Sequence, residues 1–142
     1  MKFKMTVLYS SKSGNAEILA QSIARDQKTK SDKIPPAYPC EAQKLVFIGL
    51  ELEGAIDKQV KSFCQDLTPQ RTKNVAFFVT NTSNSTDKLQ ELKDILKKNG
   101  VNVVDDVHVC PVKKILFKAG RIKQNDVADA VKWASNLVDS MA

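Results

Sequence analysis

Short apolar runs alternate with amphipathic stretches along most of this chain. Strands are predicted at residues 5–9, 45–48 and 75–79, because each is an apolar run of the length typical of a fully buried strand. After each strand, apolar residues recur at steps of three and four, which marks one face of a helix. These helical stretches lie at residues 16–24, 56–67 and 89–96, and a last one lies at 127–141.

Several further segments complete this alternating order. Valines at 101, 103, 107 and 109 predict another strand, and Gly100 before it is expected to end a helix in a left-handed cap. Asn15 is expected to cap the first helix. The proline-containing segment 28–41 allows only a short or degenerate edge strand, because proline cannot donate to a sheet ladder. Strand-helix repetition of this kind is typical of a parallel sheet covered by helices on both faces.

Length and composition indicate one domain. A chain of 142 residues with 42% hydrophobic content suits a single compact unit over residues 1–142. The apolar run behind Lys4 is shorter than a signal-peptide core of roughly 7–15 residues, and no run approaches the ~20 residues that span a bilayer. We therefore expect a cytoplasmic protein without membrane insertion. Three cysteines without CxxC spacing predict reduced thiols.

The loop after the first strand carries the strongest chemical signal. Residues 10–15 read Ser-Ser-Lys-Ser-Gly-Asn and lie between a buried strand and a helix start, where several backbone N–H groups lack helical partners. An anion would satisfy those donors. Gly14 permits close approach of the backbone, and the serine hydroxyls offer further donors to phosphate oxygens. An ordinary serine-rich turn that caps a helix is the alternative interpretation.

This loop in its strand-helix setting resembles that of the flavodoxin family, whose hallmark is a Thr/Ser-x-Thr-Gly-Asn-Thr sequence directly after the first strand. The resemblance extends to Lys-Leu-Val-Phe-Ile-Gly at 44–49 and Asn-Val-Ala-Phe-Phe-Val-Thr at 74–80, which are similar to the family's third and fourth strands. It implies a flavodoxin-like three-layer α/β/α sandwich with a five-stranded parallel sheet in the order 2-1-3-4-5. It also implies FMN as cofactor, with the loop holding the 5′-phosphate.

The resemblance assigns the binding residues to three loops at the carboxyl edge of the sheet. They are Ser10, Ser11, Lys12, Ser13, Gly14, Asn15 and Ala16 in the first, Leu50, Glu51, Leu52, Glu53 and Gly54 in the second, and Asn81, Thr82, Ser83 and Asn84 in the third. No catalytic or metal-binding residue is predicted.

Three features depart from the family pattern. Ala16 stands at the final hydroxyl position of the first loop, and Lys12 stands where a small residue is usual. The second and third loops contain no aromatic residue to stack on a flavin ring, so Leu50 or Leu52 is expected to cover it. Glu51 and Glu53 are expected near the ring, where they would lower the reduction potential.

Charge and motifs restrict the remaining function classes. The formal net charge is +6, whereas flavodoxin-like electron carriers are typically acidic. The basic segment 113–123 lacks a groove-reading motif, so no nucleic-acid binding is predicted. His108 alternates with valines and is interpreted as an ordinary strand residue. Neither GxxxxGK[ST] nor GxGxxG is present.

Two functions from different classes stay open. The first is an FMN protein that transfers electrons to a redox partner protein or reduces a small-molecule acceptor, acting as a carrier rather than a classical enzyme. The second is a flavin-free binding or interaction module on the same fold. The colour of the purified protein and its response to added FMN distinguish them. The oligomeric state is not predicted.

Overall fold

One parallel sheet forms the centre of the molecule. The structure, a computed structural model, describes residues 2–142. Its strands are β1 (Met5–Tyr9), β2 (Ser31–Lys33), β3 (Gln43–Glu51), β4 (Thr72–Asn81), β5 (Asn102–Val103) and β6 (His108–Pro111). The sheet order is β2-β1-β3-β4-β5, with β6 also paired to β4, and every pairing in it is parallel.

The predicted 2-1-3-4-5 order is confirmed, and the outermost strand is divided in two. β5 pairs with Asn74 and Val75 of β4, whereas β6 pairs with the segment of β4 from Phe78 to Asn81. The single strand expected from the valines of 101–109 is therefore two short segments along one edge of β4. As expected, β2 is a three-residue edge strand beside β1.

Helices cover both faces of the sheet. They are α1 (Asn15–Asp26), α2 (Lys58–Asp66), α3 (Gln90–Lys98) and α4 (Gln124–Met141). One apolar cluster joins the sheet to α1 and α4, and the other joins it to α2 and α3. Both clusters consist mainly of aliphatic side chains and phenylalanine, so hydrophobic burial holds the three layers together.

Two glycines at helix ends take positive φ angles. Gly100, with φ of +88°, follows the C-terminal end of α3, which confirms the left-handed cap predicted there. Gly14, with φ of +94°, is the N-cap of α1. The prediction that Asn15 caps this helix is wrong, because Asn15 is its first residue and its side chain bonds elsewhere.

The basic segment after β6 forms an antiparallel hairpin. Its strands are β7 (Lys114–Ile115) and β8 (Lys118–Ala119). At the tip, Leu116 is 86% exposed and Phe117 is 95% exposed. The hairpin therefore presents apolar side chains to solvent beside the sheet.

The side chains interpreted as structural pack within the fold. His108 on β6 stacks on Trp133 with ring centroids 5.4 Å apart, and Trp133 also meets Phe47 edge-on at 5.6 Å. All three cysteines are free and buried, and burial raises the pKa of Cys64 to about 12. No helix among residues 2–142 is long and apolar enough to cross a membrane.

Candidate functional site

A cavity of about 690 Å³ lies at the carboxyl edge of the sheet, where ligands bind in open α/β folds. It is bounded by the loop after β1, the loop after β3 and the β7–β8 hairpin. The residues that line it are Ser10, Lys12, Ser13, Asn15, Leu50, Glu51, Glu53, Gly54, Ala55, Ile56, Asp57, Phe117, Ala119, Gly120 and Arg121.

Five donors of the first loop converge on the carboxylate of Glu51, the last residue of β3. The backbone N–H groups of Lys12 and Ser13 donate to Glu51 Oε1 at 3.0 and 2.9 Å. The N–H of Ala16 donates to Oε2 at 3.1 Å. The hydroxyls of Ser13, at 2.9 Å, and of Ser11 also donate to Oε2. The loop is therefore folded as an anion cradle, and a carboxylate of the same chain lies in it.

A second set of hydrogen bonds orients the two hydroxyls. The N–H of Gly14 donates to Ser11 Oγ, and the N–H of Asn15 donates to Ser13 Oγ, both at 3.1 Å. Each hydroxyl therefore accepts from the backbone and donates to the carboxylate. This arrangement requires a left-handed conformation at residue 14. Glycine adopts that φ angle readily, whereas residues with a Cβ rarely do.

The cradle changes the acidity of Glu51. Burial by itself would raise the pKa of this carboxyl group. Hydrogen bonds from the Ser11 hydroxyl and from the backbone of Ser13, Ala16 and Lys12 outweigh that effect and hold the pKa below its ordinary value of 4.5. The folded protein therefore stabilises the charged form of Glu51.

We expect the Glu51→Gln variant to lose about 1–2 kcal/mol of free energy of unfolding at neutral pH, because hydrogen bonds to a half-exposed charged acceptor are weakened. Because the pKa of Glu51 is lower in the folded state than in the unfolded state, its contribution to stability is complete above the pKa of the unfolded state. The contribution is lost as the pH falls through the pKa of the folded state. The stability difference between wild type and variant should therefore narrow below about pH 4.5. Urea unfolding at several pH values between 7 and 3 measures it.

The control for this measurement is Glu41→Gln, which removes one charge from an exposed position outside the cavity. Its stability difference should be small at every pH. A Glu51→Gln difference that stays constant, or widens, as the solution becomes acidic would contradict the hydrogen-bonded carboxylate described above.

The second loop contributes Glu53 and Gly54 to the cavity. Leu50 also borders it but is only 2% exposed and, like Leu52, packs in the core cluster over α2 and α3. Lys88 fixes this loop, because its ammonium group donates to the carbonyls of Leu52 at 2.7 Å and Gly54 at 2.9 Å. No sequence pattern predicts this role of Lys88, since its target is the backbone of a loop 34 residues earlier in the chain.

The third loop folds on itself instead of lining the cavity. The Asn81 amide donates to the Ser83 hydroxyl and to the Ser85 carbonyl, at 3.2 and 2.6 Å. Asn81, Thr82, Ser83 and Asn84 are all absent from the lining residues given above. The structure thus brings the first and second loops together and leaves these four residues apart from them.

Asn15 joins the first loop to the segment behind the hairpin. Its amide donates to the Gly120 carbonyl at 2.8 Å, and its Oδ1 accepts from the N–H of Ile122 at 3.2 Å. These bonds place Phe117 and Arg121 at the cavity. The basic segment 113–123 was not assigned to the site from the sequence. Its one usable signal was an aromatic residue among cations in a long connection after the last strand.

The chain resembles flavoproteins in structure. Flavodoxin 2 from Bacillus cereus matches with a TM-score of 0.65 at 16% identity, covering 96% of this chain and 99% of that one. The two-electron reduced flavodoxin of Megasphaera elsdenii gives 0.66 at 17% identity, with coverages of 93% and 98%. A flavoprotein from Lactobacillus acidophilus in complex with FMN gives 0.58 at 16% identity, with coverages of 75% and 93%.

These similarities show a flavodoxin-like fold, as the sequence resemblance implied. No protein-family model matches the sequence, and no curated protein matches it either. Within residues 2–142 the structure has no group of three or more histidine, cysteine or acidic side chains that could hold a metal ion.

Proposed function

We propose that this protein binds FMN with the phosphate in the loop of residues 10–16 and acts in electron transfer. The observation that carries the proposal is the convergence of five donors on one anionic group, the Glu51 carboxylate. A phosphate monoester offers the same kind of acceptor with three oxygens and more charge. The Lactobacillus acidophilus structure supports the choice of FMN, because it is a similar fold in complex with that cofactor.

Two apolar side chains of the cavity are placed to contact a flavin ring. Ile56 lines one part of the cavity, and Phe117 on the hairpin lines another. The exposed Phe117 ring is available to cover one face of the isoalloxazine, in place of the aromatic residues that the second and third loops lack. When bound, FMN supplies the redox chemistry, and the residues of the chain hold it and shield it from water.

The electron acceptor is proposed only as a class, namely a redox partner protein or a small-molecule acceptor. The net charge of +6 favours an acidic partner, because opposite charges accelerate encounter.

FMN titration of loop variants tests the proposal. Ser13→Ala removes a hydroxyl donor that serves Glu51 in the free protein and a phosphate in the complex. Because a phosphate carries more charge than a carboxylate, FMN binding should weaken by roughly threefold or more. Gly14→Val forces a branched residue into a left-handed conformation that costs about 1–2 kcal/mol, and should weaken binding as well. Quenching of flavin fluorescence gives each dissociation constant.

Ser22→Ala is the matched control, because the Ser22 hydroxyl donates to the Ile18 carbonyl on α1 and lies outside the cavity. This variant should bind FMN as the wild type does. Affinities for FMN that are equal in all four proteins would refute the assignment of the phosphate to this loop.

A flavin-free interaction module is the second candidate. The observation that favours it is the occupation of the cradle by Glu51, together with the lack of aromatic residues at 50–55 and 81–85. A colourless purified protein that binds neither FMN nor riboflavin would support this function.

A further inference from the structure

The Glu51 carboxylate accepts hydrogen bonds from all five donors that converge in the cradle of the first loop. Both of its oxygens are used, Oε1 by the N–H groups of Lys12 and Ser13, and Oε2 by Ala16 and the two serine hydroxyls. A phosphate that enters the same cradle needs the same donors. Its oxygens and the carboxylate oxygens therefore compete for one set of hydrogen bonds.

The position of Glu51 makes it a strong competitor. It is the last residue of β3 and pairs in register with Thr80 of β4, so its backbone is held within the sheet. The loop that follows is fixed by the hydrogen bonds of Lys88. A carboxylate tethered beside the cradle in this way acts at a high effective concentration, because its return is an intramolecular event.

The cavity offers a place for the carboxylate outside the cradle. Glu51 borders the cavity of about 690 Å³, which also has Lys12 and Arg121 in its lining. Rotation of the Glu51 side chain into this space would bring it towards two cationic neighbours.

We propose that Glu51 is an internal competitor that keeps the phosphate cradle closed until a phosphate monoester displaces it. This inference rests on the proposed function in so far as the ligand is FMN. The apparent dissociation constant then equals the intrinsic one divided by the fraction of molecules in which Glu51 is out of the cradle. Ligands without a phosphate leave Glu51 in place.

Removal of the carboxylate should therefore increase affinity. We expect the Glu51→Gln and Glu51→Ala variants to bind FMN at least tenfold more tightly than wild type, which is about 1.4 kcal/mol. Glutamine keeps the size of the side chain and loses its charge, and alanine empties the cradle. Thermal unfolding followed by circular dichroism confirms that each variant is folded before it is titrated.

Glu41→Gln is the matched charge control. It removes one negative charge from an exposed position outside the cavity. Its effect on FMN affinity should stay below about threefold, because only a long-range charge is lost.

Inorganic phosphate provides the second probe. Phosphate should shift the amide resonances of Lys12, Ser13 and Ala16 in the Glu51 variants at concentrations at least tenfold lower than in wild type. The N–H group of Asn99, which bonds to the Ile95 carbonyl at the end of α3 and lies outside the cavity, reports on nonspecific effects and should not respond.

The outcomes separate this inference from the proposed function. Tighter FMN binding by both variants supports both. If the folded variants bind FMN with unchanged or weaker affinity, the role of Glu51 as a competitor is overturned, whereas the proposal that the protein binds FMN stands. If the variants bind phosphate more tightly than wild type does but do not bind FMN, the role of Glu51 as a competitor is supported and the proposal of FMN as cofactor is refuted. If neither phosphate nor FMN binds to the folded variants, both proposals are overturned.

Discussion

In the Glu51→Gln variant, FMN should bind at least a hundredfold more tightly than riboflavin. The two ligands differ only in the phosphate, which accepts charge-assisted hydrogen bonds worth about 1.5–3 kcal/mol each, so two such bonds already exceed a hundredfold. In wild type the ratio should be smaller, because the same donors must first leave the Glu51 carboxylate. Fluorescence quenching of both flavins with both proteins gives the two ratios.

The ratio of the FMN affinity to the riboflavin affinity isolates the effect of the phosphate, because both ligands make the same ring contacts. Ile56 and Phe117 border the same cavity whether or not the ligand carries a phosphate. The Glu41→Gln variant should give a ratio close to that of wild type, since Glu41 lies outside the cavity and its loss frees no donor of the cradle. Equal affinities for FMN and riboflavin in Glu51→Gln would show that the ring anchors the ligand.

The fold was predictable because its signals are local. A buried parallel strand is an apolar run, and residues 5–9 match β1 without any shift. Gly100 likewise marks a helix end within its own segment. The outer strand was harder to predict, because 101–109 holds two short segments that are separated by Asp105 and Asp106 and aligned only by their separate pairing with β4.

The candidate site was predictable only in part because its contacts connect distant segments. The anion-binding character of the first loop follows from its own composition. The placement of Glu51 in that loop depends on β1 and β3 being neighbours with Tyr9 opposite Gly49, and on a side-chain rotation that no periodicity encodes. Asn15 contacts Gly120, 105 positions later, so local sequence patterns could not predict that the hairpin with Phe117 lies at the site.

Phe78→Ala should reduce the free energy of unfolding by about 3–5 kcal/mol, the usual cost of deleting a buried aromatic side chain. Phe78 is fully buried on β4 and lies directly opposite Gly49 on β3, and its ring centroid is 6.5 Å from that of Trp133. Its ring occupies the space where a Cβ on residue 49 would stand. Urea denaturation measures the loss.

Gly49 and Phe78 should therefore be energetically coupled. Gly49→Ala alone should cost about 1–3 kcal/mol, because the added methyl group collides with the Phe78 ring. In a Phe78→Leu background the same change should cost at least 1 kcal/mol less, which a double-mutant cycle measures.

Phe77→Leu is the matched control, since Phe77 is equally buried but packs in the cluster on the opposite face of the sheet. The cost of Gly49→Ala should persist in that background. Equal coupling to Phe77 and Phe78 would mean that Gly49 is required for strand geometry rather than for the close approach of one ring.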